Sequence, residues 1–144
     1  MVEEIFHRNK LLSIIIRSNY SKEGIAFFTP ESFSQQLGYM QREKGYEIEP
    51  HVHNTVERNI ILTQEVLFIK SGRVRVDYYD DDKVYLESKI VESGDVVLLA
   101  SGGHGFKMIE KSEIIEVKQG PYCGMEDKTR FKSLDETINE INIK

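Results

Sequence analysis

Two histidines stand two positions apart at the start of HVHNTVERNIILTQEVLFIKSG, residues 51–72, and two glutamates follow within reach of them. Side chains two apart on a β-strand point to the same face, so a strand here would direct the imidazoles of His51 and His53 to one point. With a carboxylate from Glu57 or Glu65, they suit a divalent metal such as Fe, Mn, Ni, Co or Zn, and they also suit acid–base chemistry. We therefore expect one site here.

The elements that must position these residues are predicted to be strands. Short β-branched and aromatic runs separated by Gly, Asp and Ser fill most of the chain, a pattern typical of an all-β sandwich or barrel. LLSIIIRS (11–18) and GIAFFTP (24–30) predict two early strands, and residues 31–50 predict strand, turn, strand. Each of these runs is short enough to be one strand of a small domain.

Later runs continue the same pattern. EVLFIKSGRVRVDYY predicts a hairpin that turns at Ser71-Gly72, because its second half alternates with period two. Strands are predicted in VYLESKIV and VVLLA, and KMIEKSEIIEVKQ predicts a hairpin or a pair of strands. Only residues 133–144 show helical spacing, with Asp135 as a candidate cap and with Leu134, Ile138 and Ile141 on one side.

The spacing around the histidines resembles the first motif of the cupin superfamily, a family of small β-barrels, and the resemblance covers about residues 41–119. Gly45 is followed by five residues and the His-x-His pair, and Glu65 is followed by six residues and Gly72. The family places its glutamate three or four residues after the second histidine. Here eleven residues separate His53 from Glu65, so the chain would carry an enlarged hairpin at the barrel mouth.

A second candidate for the family's glutamate is Glu57, which stands at the usual distance from His53. No glycine follows it at the required spacing, because position 64 is Gln. Glu65 is favoured because it leads directly into the predicted strand, turn and strand. Glu57 and the neighbouring Arg58 would then lie on the enlarged hairpin.

The second cupin motif is present in a degenerate form in GDVVLLASGGHGFKM. Ala100 replaces the family's proline and Gly102 keeps its glycine. His104 arrives one residue early, and Met108 occupies the place where asparagine is common. His104 is the histidine available as a third imidazole.

The resemblance implies an all-β fold, a cupin-type β-barrel (double-stranded β-helix or jelly roll) with a short C-terminal helix. It implies a single domain over residues 1–144, with the barrel core at about 41–119, early strands in 11–30 and a helical tail in 133–144. It further implies one divalent transition metal per chain (Fe, Mn, Ni, Co or Zn), with these ligands: His51, His53, Glu65 and His104.

Other residues are expected near this site. Glu49 shares the strand parity of the histidines, so Glu49 or Glu57 is a candidate catalytic acid or base. Phe106 and Met108 share the parity of His104, and with Arg58 they are candidate substrate-binding residues, although ordinary core packing is the alternative for the first two.

Cupins include enzymes and binding proteins, so the resemblance leaves several functions open. The first is a metal-dependent isomerase, epimerase or lyase for a small polar substrate such as a sugar, in carbohydrate metabolism or surface-polysaccharide biosynthesis. The second is an Fe(II)-dependent dioxygenase. The third is a non-catalytic small-molecule-binding cupin, with or without its metal.

Composition excludes several classes of partner. The 144 residues carry a net charge of -5 and no basic cluster, which argues against nucleic-acid binding. No apolar run approaches the about 20 residues that a membrane helix needs. The acidic N-terminal stretch and the single Cys123 predict a cytoplasmic protein, and the apolar early strands predict a homodimer that covers their edges.

Overall fold

Strands dominate the architecture. A computed structural model describes residues 1–142, with side chains through Ile138. In chain order the elements are β1 (Val2–His7), β2 (Lys10–Ile16), β3 (Gly24–Phe27), β4 (Gly38–Gln41), β5 (Glu65–Ser71), β6 (Arg73–Tyr79), β7 (Tyr85–Glu92), β8 (Val96–Leu99), β9 (Gly103–Met108), β10 (Glu113–Lys118), a 3-10 helix (Gly124–Asp127) and helix α1 (Leu134–Asn142). The predicted all-β class is therefore confirmed, and both early strands form as β2 and β3.

In the part of the chain that the structure describes, the strands form three antiparallel sheets. The largest has the order β1-β2-β8-β5-β10, the second has the order β7-β6-β9, and β3 pairs with β4 alone. Within the described residues no strand pairing joins one sheet to another, so the sheets are not closed into a barrel. The jelly-roll assignment and the single domain over residues 1–144 stay predictions.

The main core lies between the five-stranded and the three-stranded sheets. Alternate residues of the strands point to one face of a sheet, and those facing this gap are aliphatic or aromatic. Leu67 and Val97 of the larger sheet belong to the same buried cluster as Val74, Tyr78 and Val91 of the smaller one. A second cluster around Ile14, Leu98 and Ala100 lies on the opposite face of the larger sheet, under Phe28 and Leu37.

A bulge in β2 lets two consecutive residues face the main core. The register against β1 shifts between Ile5 and Phe6, which leaves Leu12 without a partner in that ladder. Leu12 and Ser13 are both buried as a result. The Ser13 hydroxyl donates to the Leu98 carbonyl at 2.8 Å and accepts from the Tyr78 hydroxyl at 3.1 Å, which links the two sheets. Burial raises the pKa of Tyr78 to about 12.

The predicted hairpin at Ser71-Gly72 is wrong, although both of its strands form. β5 pairs with β8 and β10, whereas β6 pairs with β7 and β9, so the chain passes from one sheet to the other at Gly72. Gly72 has φ +85°, and a Cβ there would meet the backbone of Lys111 and Ser112. Local alternation does not distinguish a tight hairpin from such a crossing, since both need strand, glycine, strand. The strands predicted in KMIEKSEIIEVKQ also form, as β9 and β10 in different sheets.

The strand predicted at the histidines is also wrong. Residues 42–64 form no strand, and of residues 31–50 only Gly38–Gln41 is extended and paired. Tyr46, Ile48 and Val52 alternate with ionisable residues as in a strand, but their side chains are more than half exposed. Pro50 removes a backbone donor at the centre of this stretch, and a strand needs a partner for its donors.

The predicted C-terminal helix is confirmed over Leu134–Asn142, and the side chain of Ile141 lies outside the described residues. Ser133 caps it, in place of Asp135: its hydroxyl accepts from the Glu136 backbone N–H at 3.2 Å, and the Glu136 carboxylate accepts from the Ser133 N–H at 2.7 Å. Within residues 1–142, no helix has the length and apolar character needed to cross a membrane.

Candidate functional site

The predicted metal ligands lie in two separate places, and the first is the exposed segment 42–64. His51 and His53 have their ring centroids 5.2 Å apart with an angle of 78° between the rings. The His51 Nδ1 donates to the Glu49 carbonyl at 2.9 Å. Both imidazoles are exposed to solvent. The His-x-His pair therefore comes together as predicted, but on a segment without strand structure.

The other residues predicted for catalysis or substrate binding are exposed too. Glu49 and Glu57 are exposed, and Arg58 donates to the nearby Val56 carbonyl at 3.3 Å. Met108 is 50 % exposed at the end of β9. Of this predicted group, only Phe106 borders the cavity described below.

The second pair of predicted ligands, Glu65 and His104, meets between the two sheets. Glu65 begins β5 and is only 9 % exposed. His104 lies opposite Tyr78 in the β6–β9 ladder, so it shares the inward face of Tyr78. The Glu65 Oε2 is 3.2 Å from the His104 Nε2. The hydrogen bond from His104 lowers the pKa of Glu65, and the charges of Lys118 and Lys128 add to this effect against the cost of burial.

Lys118 connects this pair to the C-terminal part of the chain. It lies opposite Glu65 in the β5–β10 ladder, with its Nζ 3.7 Å from the Glu65 Oε1 and 2.7 Å from the Asp127 Oδ2. Thr63 also donates to the Asp127 carboxylate, at 2.8 Å. Lys118 and then Thr63 lower the pKa of Asp127, and Asp127 raises the pKa of Lys118. Both groups are therefore charged over a wide pH range.

The outward face of the three-stranded sheet carries a second charged cluster. Arg75 binds the Asp77 carboxylate through two nitrogens, at 2.7 and 2.9 Å, and Ser88 donates to the same carboxylate. Asp135 accepts from Arg75 at 3.0 Å and from Lys107 at 2.5 Å. The two carboxylates raise the pKa of Arg75, with Asp77 the larger contributor. Arg75 therefore fixes the start of α1 against β6.

Residues 127–135, named here the C-terminal strap, run between these two clusters. Asp127 and Asp135 attach its ends to the strands, and Phe131 attaches its middle. The Phe131 ring packs edge to face against Tyr79, with centroids 4.9 Å apart. A Cβ on Gly103 would lie 3.2 Å from Phe131, so the glycine makes room for this close approach. The strap is therefore held at three points.

The strap and four strands surround a cavity of about 640 Å³. Its walls include Glu65 of β5, Arg75 of β6, His104 of β9 and Lys118 of β10, together with strap residues. Pockets of this volume accommodate a monosaccharide or a similar small molecule. Because it combines charged groups, an aromatic ring and a carboxylate–imidazole pair, we take it as the candidate active site.

The predicted metal centre does not fit this arrangement. His51 and His53 do not border the cavity that contains Glu65 and His104. Among residues 1–142, no three His, Cys, Asp or Glu side chains are grouped in a way that would hold a metal ion. The four-ligand site stays a prediction. Metal quantification in the wild type, His51→Ala and His104→Ala tests it, with near-stoichiometric metal lost from both variants as the predicted result.

Several residues of the cavity were missed by reasoning from the sequence. Arg75 and Asp77 alternate with Val74 and Val76 in RVRVDYY, so a signal was present: two opposite charges share one face of a strand. Asp127 had no comparable signal, because its contact with Lys118 depends on the path of the strap.

Comparison with known proteins adds no relative. No protein-family model matches the chain, and searches of curated proteins and of solved structures give no match. The geometry of the cavity is therefore the feature from which a function can be inferred.

Proposed function

We propose that the protein is an enzyme that moves a proton on a small polar substrate such as a sugar or sugar derivative, in an isomerase, epimerase or lyase reaction. The observation that carries this proposal is the contact of 3.2 Å between the Glu65 carboxylate and the His104 imidazole at the wall of the cavity. The volume and polar lining of the cavity support the substrate class.

The pair supports general base catalysis. A carboxylate accepts hydrogen bonds, so Glu65 favours the tautomer of His104 that carries its proton on Nε2, and the lone pair of Nδ1 is then free to take a proton. The His104 side chain is 29 % exposed, which allows a substrate to reach it. When His104 becomes an imidazolium, the ionised Glu65 stabilises it. Glu65 acts through His104 and is a positioning residue.

The reaction step we propose is enolisation. His104 Nδ1 takes a proton from a carbon next to a substrate carbonyl, and the electron pair of the C–H bond moves into the carbonyl, which becomes an enolate. The imidazolium that this transfer creates on His104 lies beside the enolate and stabilises its negative charge. Return of a proton to the opposite face of the same carbon gives an epimer. Delivery of the proton to the former carbonyl carbon, with the proton of the neighbouring hydroxyl passing to the enolate oxygen, gives an isomer.

The cupin-type jelly roll is part of the same proposal. Two antiparallel sheets with one core between them support it, as does the crossing of the chain from sheet to sheet after β5 and after β9. On this proposal the sandwich mouth at β5, β9 and β10 is the substrate entrance.

Solvent-deuterium exchange tests the proton transfer. Aldoses, ketoses, uronates and sugar phosphates are incubated with the protein in D₂O, and ¹H NMR follows the hydrogen next to the carbonyl. We expect exchange with the wild type, a loss of about 10²-fold or more in His104→Gln, and a smaller loss in Glu65→Gln. His7 provides a matched control, because its Nε2 is 3.9 Å from Asp80 outside the cavity, and His7→Gln should exchange at the wild-type rate.

Two results would contradict the proposal. One is the absence of exchange for every compound in the panel with folded wild-type protein. The other is exchange by His104→Gln at the wild-type rate, which would show that the imidazole takes no part in the reaction.

A further inference from the structure

The cavity has a charge balance opposite to that of the whole protein. Six of its lining residues are Lys or Arg and four are Asp or Glu, whereas the complete chain has 19 basic and 24 acidic residues. A net acidic protein with a locally basic concavity concentrates anions there, because low-dielectric walls focus the field.

Three of the basic residues are already committed to carboxylates. Lys118 binds Asp127, Arg75 binds Asp77 and Asp135, and Lys107 binds Asp135. These pairs hold the strap to the strands, so their cations are neutralised in place. The other basic residues of the cavity lie on the strap, so the excess of positive charge in the cavity is located there.

Two basic residues of the strap, Lys128 and Arg130, are not committed in this way. Both border the cavity, and neither forms an ion pair with an acidic side chain in the part of the chain that the structure describes. They lie between the strap's attachments at Asp127 and Phe131, so their backbone is held on both sides. Cationic side chains on a fixed backbone, without an ion pair to a protein carboxylate, are suited to bind an anionic ligand. The backbone is already ordered, so binding costs less conformational entropy.

Lys128 also lies close enough to act on the candidate catalytic pair. The positive charge of Lys128 contributes to the lowered pKa of Glu65, so the electric field of Lys128 reaches the part of the cavity wall where Glu65 contacts His104. We propose that the substrate carries a carboxylate or a phosphate group, which Lys128 and Arg130 bind beside the Glu65–His104 pair. This inference rests on the proposed function in one respect, that this cavity is the substrate site.

The chemistry of the two side chains supports both anions. The guanidinium of Arg130 presents donors in a planar fork that matches the oxygens of a carboxylate or a phosphate, and Lys128 adds a point charge. A uronate and a sugar phosphate are therefore the substrate classes that combine the anionic group with a sugar. The two differ in charge, and their relative affinity distinguishes them.

Titration calorimetry with four probes tests the inference: glucuronate, glucose 6-phosphate, inorganic phosphate and glucose. We expect at least one of the two anionic sugars to bind the wild type at low ionic strength, and neutral glucose to bind at least about tenfold more weakly. The double variant Lys128→Gln/Arg130→Gln should lose about tenfold or more in affinity for that sugar. Lys22→Gln/Lys111→Gln removes the same charge outside the cavity and should bind as the wild type does.

Three results would overturn the inference. They are binding that is no tighter for the anionic sugars than for glucose, affinity that is unchanged in Lys128→Gln/Arg130→Gln, and equal losses in that variant and the Lys22/Lys111 control. Failure of both anionic sugars and of inorganic phosphate to bind the wild type falls under the first of these. Binding of inorganic phosphate alone would show an anion site that does not recognise a sugar, and it would overturn the substrate class.

The inference and the proposed function can fail separately. Glu65→Gln should still bind the anionic sugar, because the variant keeps Lys128 and Arg130. Charge-selective binding without deuterium exchange would retain the anion site and refute proton transfer. Deuterium exchange on neutral sugars, with no preference for anionic sugars in binding, would support proton transfer and refute the anion site.

Discussion

The Glu65 carboxylate is ionised in the folded protein at pH values where an ordinary glutamate is protonated. Its pKa lies below the ordinary value of 4.5, first because of the hydrogen bond from His104 and further because of Lys118 and Lys128. The folded-state pKa is therefore lower than the unfolded-state pKa. The resulting stability is fully present above pH 4.5 and is lost as the pH falls through the lowered value.

Glu65→Gln should make this contribution measurable. Near neutral pH the variant should unfold with a free energy about 1 to 2 kcal/mol below that of the wild type, because a charge-assisted hydrogen bond of a buried carboxylate is lost. Urea unfolding across a pH series should show the difference shrinking below pH 4.5. Glu23→Gln, at an exposed position, is the control and should differ little from the wild type at any pH. A difference for Glu65→Gln that stays constant down to strongly acidic pH would contradict the assignment.

At the scale of elements, the crossing from β5 to β6 depends on one glycine. Gly72→Ala should destabilise the protein by about 2 kcal/mol or more, because φ is +85° and the new methyl group meets the backbone of Lys111 and Ser112. Gly45 is a matched control with φ +89° and nothing within 4 Å of a Cβ, so Gly45→Ala isolates the cost of the backbone conformation. Urea unfolding of both variants measures the two effects. Equal destabilisation would show that the close packing at Gly72 contributes nothing.

The C-terminal strap depends on Asp135 in a comparable way. Asp135→Asn removes the ion pairs with Arg75 and Lys107, so we expect faster amide hydrogen exchange in residues 127–138 and no change in the strands. Lys107 and then Arg75 lower the pKa of Asp135, so the same loosening should occur in the wild type as the pH falls through that lowered value. Asp82→Asn, on the exposed β6–β7 turn, is the control. Unchanged exchange in the strap would show that Asp127 and Phe131 are sufficient to hold it.

How much of the fold was predictable varied with the range of the interactions involved. Alternation and composition sufficed for β2, β5, β6 and α1, because burial on one face leaves a local pattern. The sheet to which a strand belongs leaves no such pattern, which is why the hairpin at Gly72 was predicted and two sheets were found. Residues 42–64 show the opposite failure: strand-like alternation is present, but no neighbouring strand pairs with it.

The candidate site was predictable in the same uneven way. Glu65 and His104 were selected from motif spacing, and the structure brings them together. The histidines at 51 and 53 were selected by the same motif, and the structure leaves them exposed on another segment. Lys128 and Arg130 had no sequence signal, because their position at the cavity depends on contacts of Asp127 and Phe131 with residues far away in the chain.

At the scale of the whole molecule, one apolar patch predicts the homodimer. Phe68 and Ile115 are directly opposite in the β5–β10 ladder, Val117 follows on the same face, and all three are at least 40 % exposed. β10 is also an edge strand, and among residues 1–142 no further strand pairs with its outer side. We propose that a second copy of the chain covers this patch.

Analytical ultracentrifugation of Ile115→Lys tests the dimer. The wild type should sediment as a dimer at micromolar concentration, and the variant should shift toward monomer because a charge enters the apolar contact. Ile61→Lys places the same charge at a position that is 87 % exposed outside the patch, and it should stay dimeric. A monomeric wild type would refute the dimer, and a dimeric Ile115→Lys would move the interface elsewhere.

The position of β8 in the five-stranded sheet has a consequence for folding of the protein during its synthesis on the ribosome. β8 lies between β2 and β5, yet it is completed only at Leu99, 83 residues after β2 ends at Ile16. Until Leu99 leaves the exit tunnel, β2 and β5 each lack their shared neighbour, so the nascent chain presents the apolar run of β2 with an open edge. During synthesis the incomplete sheet is therefore exposed for a long interval, in which it can bind chaperones or aggregate.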